Sequence, residues 1–169
     1  MSECKIRSAR MEELPQCLDT IHRAFSVNCE RFGLTKENYP TCAAFMTIEE
    51  LVAAKESGTH VYAAWVDGTV AGCVQITRGE NDVYLFKRFA VLPEYQHLGL
   101  GRKLISHCRR KAREYGGKKL RLLMIYENEQ LRNLYLSSGF ELVETRRDDA
   151  HPFLCGIFEM DVTRSAKTQ

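Results

Sequence analysis

Apolar positions repeat along the chain with two different periods, which separate predicted strands from predicted helices. Residues 83–91 are rich in aromatic and β-branched side chains, as expected of a half-buried strand. Pro93 ends this strand, because proline has no amide hydrogen to donate to a neighbour. From Gly101 to Tyr115 the apolar residues recur at helical spacing. The same criteria predict strands over residues 4–10, 60–66, 69–77, 120–125, 140–145 and 153–160, and helices over 11–25, 47–57 and 129–138.

The order of these elements predicts how the strands pair. Asp67 and Gly68 lie between two apolar runs and are a strong signal for a two-residue hairpin turn. The first four strands are therefore expected to form an antiparallel meander. The strand–helix–strand unit over 83–125 predicts a right-handed crossover with parallel pairing, and the last two strands predict an antiparallel pair. The expected fold class is α+β (mixed α/β), with a central mixed sheet of six to seven strands flanked by about four helices.

One stretch, residues 26–45, has no clean period and contains Gly33 and Pro40, so an irregular segment is predicted. Irregular segments that carry aromatic residues form either binding walls or packed lid edges, and both interpretations stay open. The aromatic residues in or beside this stretch are Phe25, Phe32, Tyr39 and Phe45.

Length and composition limit the classes of protein to consider. The 169 residues can bury one hydrophobic core, and we expect a single domain over 1–162 followed by a polar tail over 163–169. The longest apolar run, 61–66, is too short to span a bilayer, and no charged-then-apolar leader opens the chain. The seven cysteines form no C-x-x-C pair and no cluster with histidine, so neither disulfides nor a metal are expected. A cytoplasmic protein without a membrane partner is predicted.

Two glycines, Gly99 and Gly101, stand between the strand over 83–91 and the helix behind it. They let the backbone approach a ligand, and the helix N-terminus offers free N–H groups and a positive dipole end, a geometry that binds phosphate. A dinucleotide fingerprint would need a third glycine where Leu104 stands. A P-loop would need Gly-Lys-Ser/Thr, whereas Gly101 is followed by Arg102 and Lys103. The ligand is therefore expected to be held in another way.

Two separate motifs resemble those of the GNAT superfamily of acyl-CoA-dependent N-acetyltransferases. The first is Phe89-Ala90-Val91-Leu92-Pro93 followed by Gln96-x-x-Gly99-x-Gly101, which is similar to the acyl-CoA-binding motif. The second is Asn128-x-x-x-x-x-Leu134-Tyr135-x-x-x-Gly139-Phe140, which matches the family's downstream segment in register. The resemblance covers 61–160 well and the N-terminal third more loosely.

The resemblance implies acetyl-CoA as cosubstrate and a GNAT fold in which the two parallel strands splay apart. The pantetheine arm would pair with the backbone of Phe89, Ala90 and Val91, and the Val91 N–H would polarise the thioester carbonyl. Core packing is an alternative for the side chains of Phe89 and Val91. Asn128 matches a cofactor-binding position, although capping of the helix behind it is an equally good interpretation. The amides expected to cradle the pyrophosphate are those of Gln96, His97, Leu98, Gly99, Leu100, Gly101 and Arg102.

The implied catalytic acid is Tyr135, which matches the tyrosine that binds beside the cofactor and protonates the departing CoA thiolate. The general base is harder to assign, because Lys87 stands where many family members carry a glutamate. A lysine serves as a base only if burial lowers its pKa. His151 is the candidate whose reference pKa suits the task. Glu80, Asp82 or a chain of water molecules could also remove the proton.

Between Arg102 and Arg121 there are nine Lys/Arg and one acidic residue, Glu114. Such a stripe attracts nucleic acid or a phosphorylated ligand, but it is also typical of a solvated helix face. No nucleic-acid-binding signature accompanies it, so no nucleic-acid partner is expected. If the resemblance holds, part of the stripe faces coenzyme A phosphates.

The predicted function is transfer of an acetyl group from acetyl-CoA to a primary amine of a small molecule, by direct attack in a ternary complex. A protein lysine or N-terminal acetyltransferase and a non-catalytic acyl-CoA-binding module are the competing interpretations. Cys108 and Cys155 raise the possibility of a covalent acyl-enzyme, but Cys108 lies on an apolar helix face and is interpreted as core. The sequence is compatible with a monomer or a homodimer.

Overall fold

A computed structural model describes residues 3–164, and the last five residues of the predicted polar tail lie outside that range. Seven strands form one sheet in the order β1-β2-β3-β4-β5-β7-β6. The strands are β1 Cys4–Ser8, β2 His60–Val66, β3 Thr69–Arg78, β4 Val83–Val91, β5 Lys119–Ile125, β6 Glu141–Arg146 and β7 Cys155–Asp161. The helices are α1 Leu14–Phe32, α2 Ile48–Glu56, α3 Leu100–Glu114 and α4 Glu129–Ser137. The mixed sheet with its flanking helices confirms the predicted fold class.

The first four strands form the antiparallel meander that the sequence predicts. At the hairpin between β2 and β3, Asp67 has φ 50° and Gly68 has φ 77°. Positive φ at both central residues is the backbone of a turn whose twist matches that of the flanking strands. The backbone conformations of these two turn residues therefore set the pairing of the strands.

The strands β4 and β5 are parallel, and they pair only at their beginnings. Val83, Tyr84 and Leu85 pair with Lys119, Leu120 and Arg121. Past this point β4 has no partner on its β5 side, while β5 pairs with β7 over its whole length. The sheet therefore opens into a gap at the end of β4, which is where the glycine loop begins.

The helix α1 is longer than predicted and takes up about a third of the expected irregular segment, residues 26–32. It runs to Phe32 instead of residue 25 and ends at Gly33, whose φ of 64° allows the Leu34 N–H to bond back to the Cys29 carbonyl. Its second half packs Cys29 and Phe32 on a small separate cluster around Leu34 and Phe153. Near Phe25 the apolar face of the helix passes from the cluster under α1 and α2 to this smaller cluster. A search for one continuous helical period therefore ended the helix too early.

Two apolar clusters cover the two faces of the sheet. In β2, Tyr62 and Ala64 face the cluster under α3, while Val61 and Ala63 face the cluster under α1 and α2. Cys108 is fully buried in the α3 cluster, as its helical position predicts. Burial on both faces makes the middle of the sheet a rigid support for the gap beside β4.

Candidate functional site

A β-bulge in β4 shapes the wall of the gap. Gln75 pairs with Lys87 and Cys73 pairs with Ala90, so the single residue between them on β3 faces both Arg88 and Phe89. Arg88 has a φ of 53°, which is rare for a residue with a side chain. The extra residue lets Phe89 pack on the same cluster as Phe86, which a regular strand with period two forbids.

Beyond the bulge, the backbone of β4 turns its polar groups toward the gap. The Leu92 N–H donates to the Ala71 carbonyl of β3 at 2.9 Å. Because backbone groups alternate in direction along a strand, those of Val91 and Phe89 point away from β3, toward the open side. The Val91 carbonyl accepts a bond from the Gln96 side chain at 3.2 Å. This edge of β4 can therefore pair with an extended ligand.

The two glycines of the loop have different tasks. Gly99 has a φ of 82° and stands at the N-cap of α3, so it supplies a left-handed conformation that other residues adopt only with strain. At Gly101 a Cβ atom would lie 3.2 Å from both Leu134 and Phe89, so close packing excludes a side chain. The first N–H groups of α3 are left without helical partners at this point, as at every helix start.

A cavity of about 640 Å³ lies over the gap and the glycine loop. Nine of the predicted cofactor-binding residues line it: Phe89, Ala90, Val91, Gln96, His97, Gly99, Gly101, Arg102 and Asn128. Leu98 and Leu100 are not among the lining residues, because Leu98 is 69% exposed to solvent and Leu100 is buried in the core. The structure thus brings together most, but not all, of the residues that the sequence motifs select.

Asn128 caps α4 and also lies at the edge of the first cavity. Its side-chain oxygen accepts the Leu131 N–H at 3.3 Å, so it caps α4. It is buried and also lines the cavity, and the Arg31 guanidinium lies 3.5 Å from its oxygen. Capping fixes the side chain at the edge of the cavity, and a role in cofactor binding stays a prediction.

A second cavity of about 530 Å³ adjoins the first on the β5 side of the gap. Its walls come from α1, the segment after it, β4, β5 and the residues before β7. The two cavities meet at the five residues that line both: Phe25, Asn28, Phe89, Asn128 and Leu131. Two ligands bound on either side would therefore meet beside the bulge.

Tyr135 lines the second cavity from inside an aromatic cluster. Its ring packs against Phe86, Phe89 and Phe140, with centroid distances between 5.5 and 5.9 Å. Burial raises the pKa of the phenol well above its usual range, so the hydroxyl keeps its proton at neutral pH. The same shift makes the buried phenol a weaker acid than a free one, so its role as proton donor stays a prediction.

His151 lines the second cavity as well, and Asp148 orients it. The imidazole Nδ1 lies 2.7 Å from a carboxylate oxygen of Asp148. A carboxylate only accepts, so Nδ1 donates and Nε2 is left as the acceptor. The bond to His151 also holds the pKa of Asp148 below its usual value. The ring packs between Tyr39 and Phe153, with centroids 5.5 and 5.3 Å away, which fixes its plane.

Of the other side-chain candidates for the base, Lys87 lines the second cavity and burial lowers its pKa, whereas the acidic side chains do not reach either cavity. Glu80 and Asp82 lie before β4, at the opposite end from the gap. Asp82 forms an ion pair with Arg78 at 2.7 Å. His151 is thus the candidate that tertiary contacts bring to the cavity, although no spacing in the sequence connects it to β4.

Cys155 lies near His151 but outside both cavities. Ligand atoms of Asp148, His151 and Cys155 lie within 4.8 Å of one another, the only such trio found among residues 3–164. Burial raises the pKa of the Cys155 thiol, and the side chain is fully buried. A thiol is a poor nucleophile and metal ligand in its protonated form, so the arrangement favours a structural role for Cys155.

Several cavity residues have no counterpart in the sequence motifs. Phe25, Asn28 and Arg31 reach the first cavity from one face of α1. Their spacing of three residues is a helical signal that becomes visible once the helix is known to continue. Arg88 is the other addition, and only the bulge directs it to the second cavity. Of the basic stripe, Arg102 lines a cavity, while Lys111 pairs with Glu114 on the outer face of α3.

Comparison with known proteins identifies the chain. The model of the acetyltransferase (GNAT) family matches residues 18–140, which is more than half of the chain. The chain belongs to the GNAT acetyltransferase family. A curated relative, an uncharacterized N-acetyltransferase in the pepI 3′ region of Lactobacillus delbrueckii subsp. lactis, is 28% identical, with 92% of each chain covered. The sequence resemblance to the family and the assignment as an acyltransferase are therefore confirmed.

Solved structures of GNAT enzymes share the fold. The PaiA N-acetyltransferase of Thermoplasma acidophilum, solved with coenzyme A, has a TM-score of 0.79 at 18% identity, covering 94% of this chain and 99% of that one. The ribosomal-protein-S18-alanine N-acetyltransferase of Escherichia coli has a TM-score of 0.76 at 19% identity, with 99% of each chain covered. Within residues 3–164, no helix is both long and apolar enough to cross a membrane.

Proposed function

We propose that this GNAT enzyme transfers an acetyl group from acetyl-CoA to a primary amine of a small molecule, by direct attack in a ternary complex. The observation that carries the proposal is the junction of two cavities at the open edge of β4. The cofactor would occupy the cavity over the glycine loop, and the amine would enter from the other side. The reacting atoms would then meet next to the bulge.

The cofactor would be held mainly through the backbone. The pantetheine arm would pair with the free edge of β4 at Phe89 and Val91, as a strand pairs with its neighbour. The pyrophosphate would rest on the first N–H groups of α3. Arg31 and Arg102 line the same cavity and supply positive charge for the phosphates. The Val91 N–H would donate to the thioester oxygen, whose negative charge grows as the amine attacks.

The acid and the base would come from the second cavity. An alkyl amine has a pKa near ~10, so it must lose a proton before it attacks. The Nε2 atom of His151 is the acceptor that remains after Asp148 binds Nδ1, and it would take this proton directly or through water. The neutral Tyr135 hydroxyl would return a proton to the CoA thiolate as it leaves. A histidine and a tyrosine in these roles do not require the glutamate that Lys87 replaces.

The size and lining of the acceptor cavity support a small substrate. The second half of α1 and the segment with Tyr39 contribute lining residues, and so do Phe153 and Arg146. A peptide acceptor would need an open groove along the sheet. The volume of about 530 Å³ is within the range of pockets that bind small molecules.

The first test is calorimetric titration with acetyl-CoA, followed by an assay of thiol release with a panel of amines. Gly99→Trp should abolish binding, because it fills the cradle and strains the left-handed backbone. Gly116→Trp is a matched control, because Gly116 has a φ of 84°, close to that of Gly99, but lies outside both cavities. Equal binding by both variants, or no binding by the native protein, would contradict the proposed cofactor site.

A further inference from the structure

The charged side chains that line the second cavity are all basic, within the part of the chain that the structure describes. Its lining includes Lys87, Arg88, Arg121 and Arg146, and no aspartate or glutamate among residues 3–164 lines it. A pocket that selects a polyamine or another polycation would need the opposite charge, because unpaired like charges repel a ligand at close range. The cavity wall therefore disfavours polycationic amines.

Two of these cations are already neutralised by the protein. Arg121 forms an ion pair with Glu159 at 2.6 Å, which connects β5 to β7. Arg146 lies 3.2 Å from Glu144 and 3.7 Å from Asp148. These two arginines need no ligand to balance their charge, because Arg121 connects two strands and Arg146 pairs within β6 and with the loop that follows it.

Lys87 and Arg88 differ, because neither forms an ion pair with any described residue. The Nε atom of Arg88 is buried and has no hydrogen-bond partner among residues 3–164. A buried donor without an acceptor costs free energy, and a ligand bound beside this residue could offset that cost. The positive φ of Arg88 is a second cost at the same residue. Strain and an unsatisfied donor thus coincide at one cavity wall.

The position of Arg88 connects it to the reaction. It directly precedes Phe89, which lines both cavities, whereas Arg88 lines the second cavity alone. Most of the remaining wall is apolar or aromatic, with Phe86, Tyr39 and Phe153 among its residues. A ligand complementary to this wall has an apolar body and one anionic group near the amine that reacts.

We propose that Arg88 and Lys87 form a carboxylate-binding subsite, so that the acceptor is an amine with an apolar body and a carboxylate, of the amino-acid type. This inference rests on the proposed function and names its substrate class. The planar guanidinium binds a carboxylate through two parallel N–H donors, and Lys87 adds a second charge. The subsite holds the carboxylate on the β4 wall and leaves the amine free to face the thioester and His151.

The test compares an acid with its matched amide and adds a polyamine as an unrelated polycation. L-phenylalanine, L-phenylalaninamide and spermidine are assayed with acetyl-CoA, and spermidine should be the poorest acceptor. Calorimetry measures binding of N-acetyl-L-phenylalanine and its amide to the CoA-bound protein. The acid should exceed the amide by about 10- to 100-fold in kcat/KM and in affinity, as expected for a charged hydrogen bond. This order opposes intrinsic reactivity, because the amide has the weaker base and thus more free amine at neutral pH.

Arg88→Gln should lower kcat/KM for the acid through KM and remove its advantage over the amide. Arg121→Gln removes the same charge from the same cavity at a residue that Glu159 already neutralises, so the preference for the acid should persist. Equal binding of acid and amide, or no binding of either, would overturn the carboxylate subsite. Failure of acetyl-CoA to bind would instead contradict the proposed function, so the two failures are distinguishable.

Discussion

The two cavities beside β4 are built in different ways. The cavity over the glycine loop takes the largest single group of its lining residues from 89–102, which offers backbone groups, glycines and a helix start, and α1 and α4 complete its wall. The acceptor cavity uses side chains from α1, Tyr39, β4, β5 and His151, which are far apart in the chain. A cofactor common to a family can be bound by local backbone geometry, whereas an individual acceptor needs side chains that the fold brings together. Variants on the two sides should therefore fail in different ways.

The largest effect is expected from a change to the chemical step, in which the ligands of both cavities take part. Tyr135→Phe keeps the aromatic packing and removes the hydroxyl, so kcat should fall by about 100-fold or more if this group protonates the thiolate. Affinity for acetyl-CoA should stay the same, since the ring is retained. Steady-state assays and calorimetry separate the two quantities.

The control for this variant is Tyr62→Phe, which removes another buried hydroxyl. Tyr62 bonds to Tyr115 at 3.1 Å on the α3 side of the sheet and lines neither cavity. Its removal should leave kcat near the native value. If both variants lose turnover equally, the hydroxyl of Tyr135 has no special role.

The next effect is confined to the cofactor side. Gly101→Val places methyl groups against Leu134 and Phe89, each of which would lie only 3.2 Å from a Cβ atom at this residue. We expect the Kd for acetyl-CoA to rise by about tenfold, a loss of roughly 1.4 kcal/mol of binding free energy. Ser106→Val is the matched control, because it introduces the same side chain on the exposed face of the same helix. Native affinity of the Gly101 variant would show that close approach at this glycine is unimportant.

An effect between those of Tyr135→Phe and Gly101→Val in size should be confined to the acceptor side. His151→Gln removes the proposed base, and Asp148→Asn removes the charge that orients it. Each should lower kcat/KM for the amine, with His151→Gln losing about 100-fold and Asp148→Asn less, while acetyl-CoA affinity is unchanged. Native kcat/KM for the amine in His151→Gln would assign proton removal to another group.

The smallest effect is expected from a change that destabilises the fold and so acts on both cavities alike. Glu13 accepts two bonds from Arg7, at 2.8 and 2.7 Å, and one from the Arg10 N–H, and these bonds lower its pKa. Because the unfolded chain then takes up a proton more readily, this stabilisation is present above the usual carboxyl pKa and is lost as the pH falls. Glu13→Gln should lower the free energy of unfolding by about 1 kcal/mol at pH 7, with a difference that shrinks in acid.

Urea unfolding at pH 7 and at acidic pH measures this difference, and activity per folded molecule should stay native at neutral pH. Selective loss of either acetyl-CoA affinity or amine kcat/KM would contradict the view that Glu13 only anchors the scaffold common to both cavities. A stability difference that grows in acid would contradict the sign of the pKa shift.

The sequence determined the sheet order up to β4, the parallel crossover and the cofactor motif, because each depends on neighbours along the chain. The hairpin at Asp67, the stop at Pro93 and the glycine pair are local signals, and all appear where they were predicted. The end of α1 was the main error in the fold. Its last two turns are stabilised by contacts with Leu34 and Phe153 rather than by the stripe that begins the helix.

Only the tertiary structure decided the acceptor side. Nothing in the spacing between Arg88 and His151 indicates that they line one cavity, because a strand and a loop far apart in the chain meet there through β5 and β7. The bulge that directs Arg88 results from pairing with β3, which is a long-range contact. Turns, strand ends and helix starts depend on the conformational preferences of adjacent residues. A cavity made of distant side chains forms only after the core has packed.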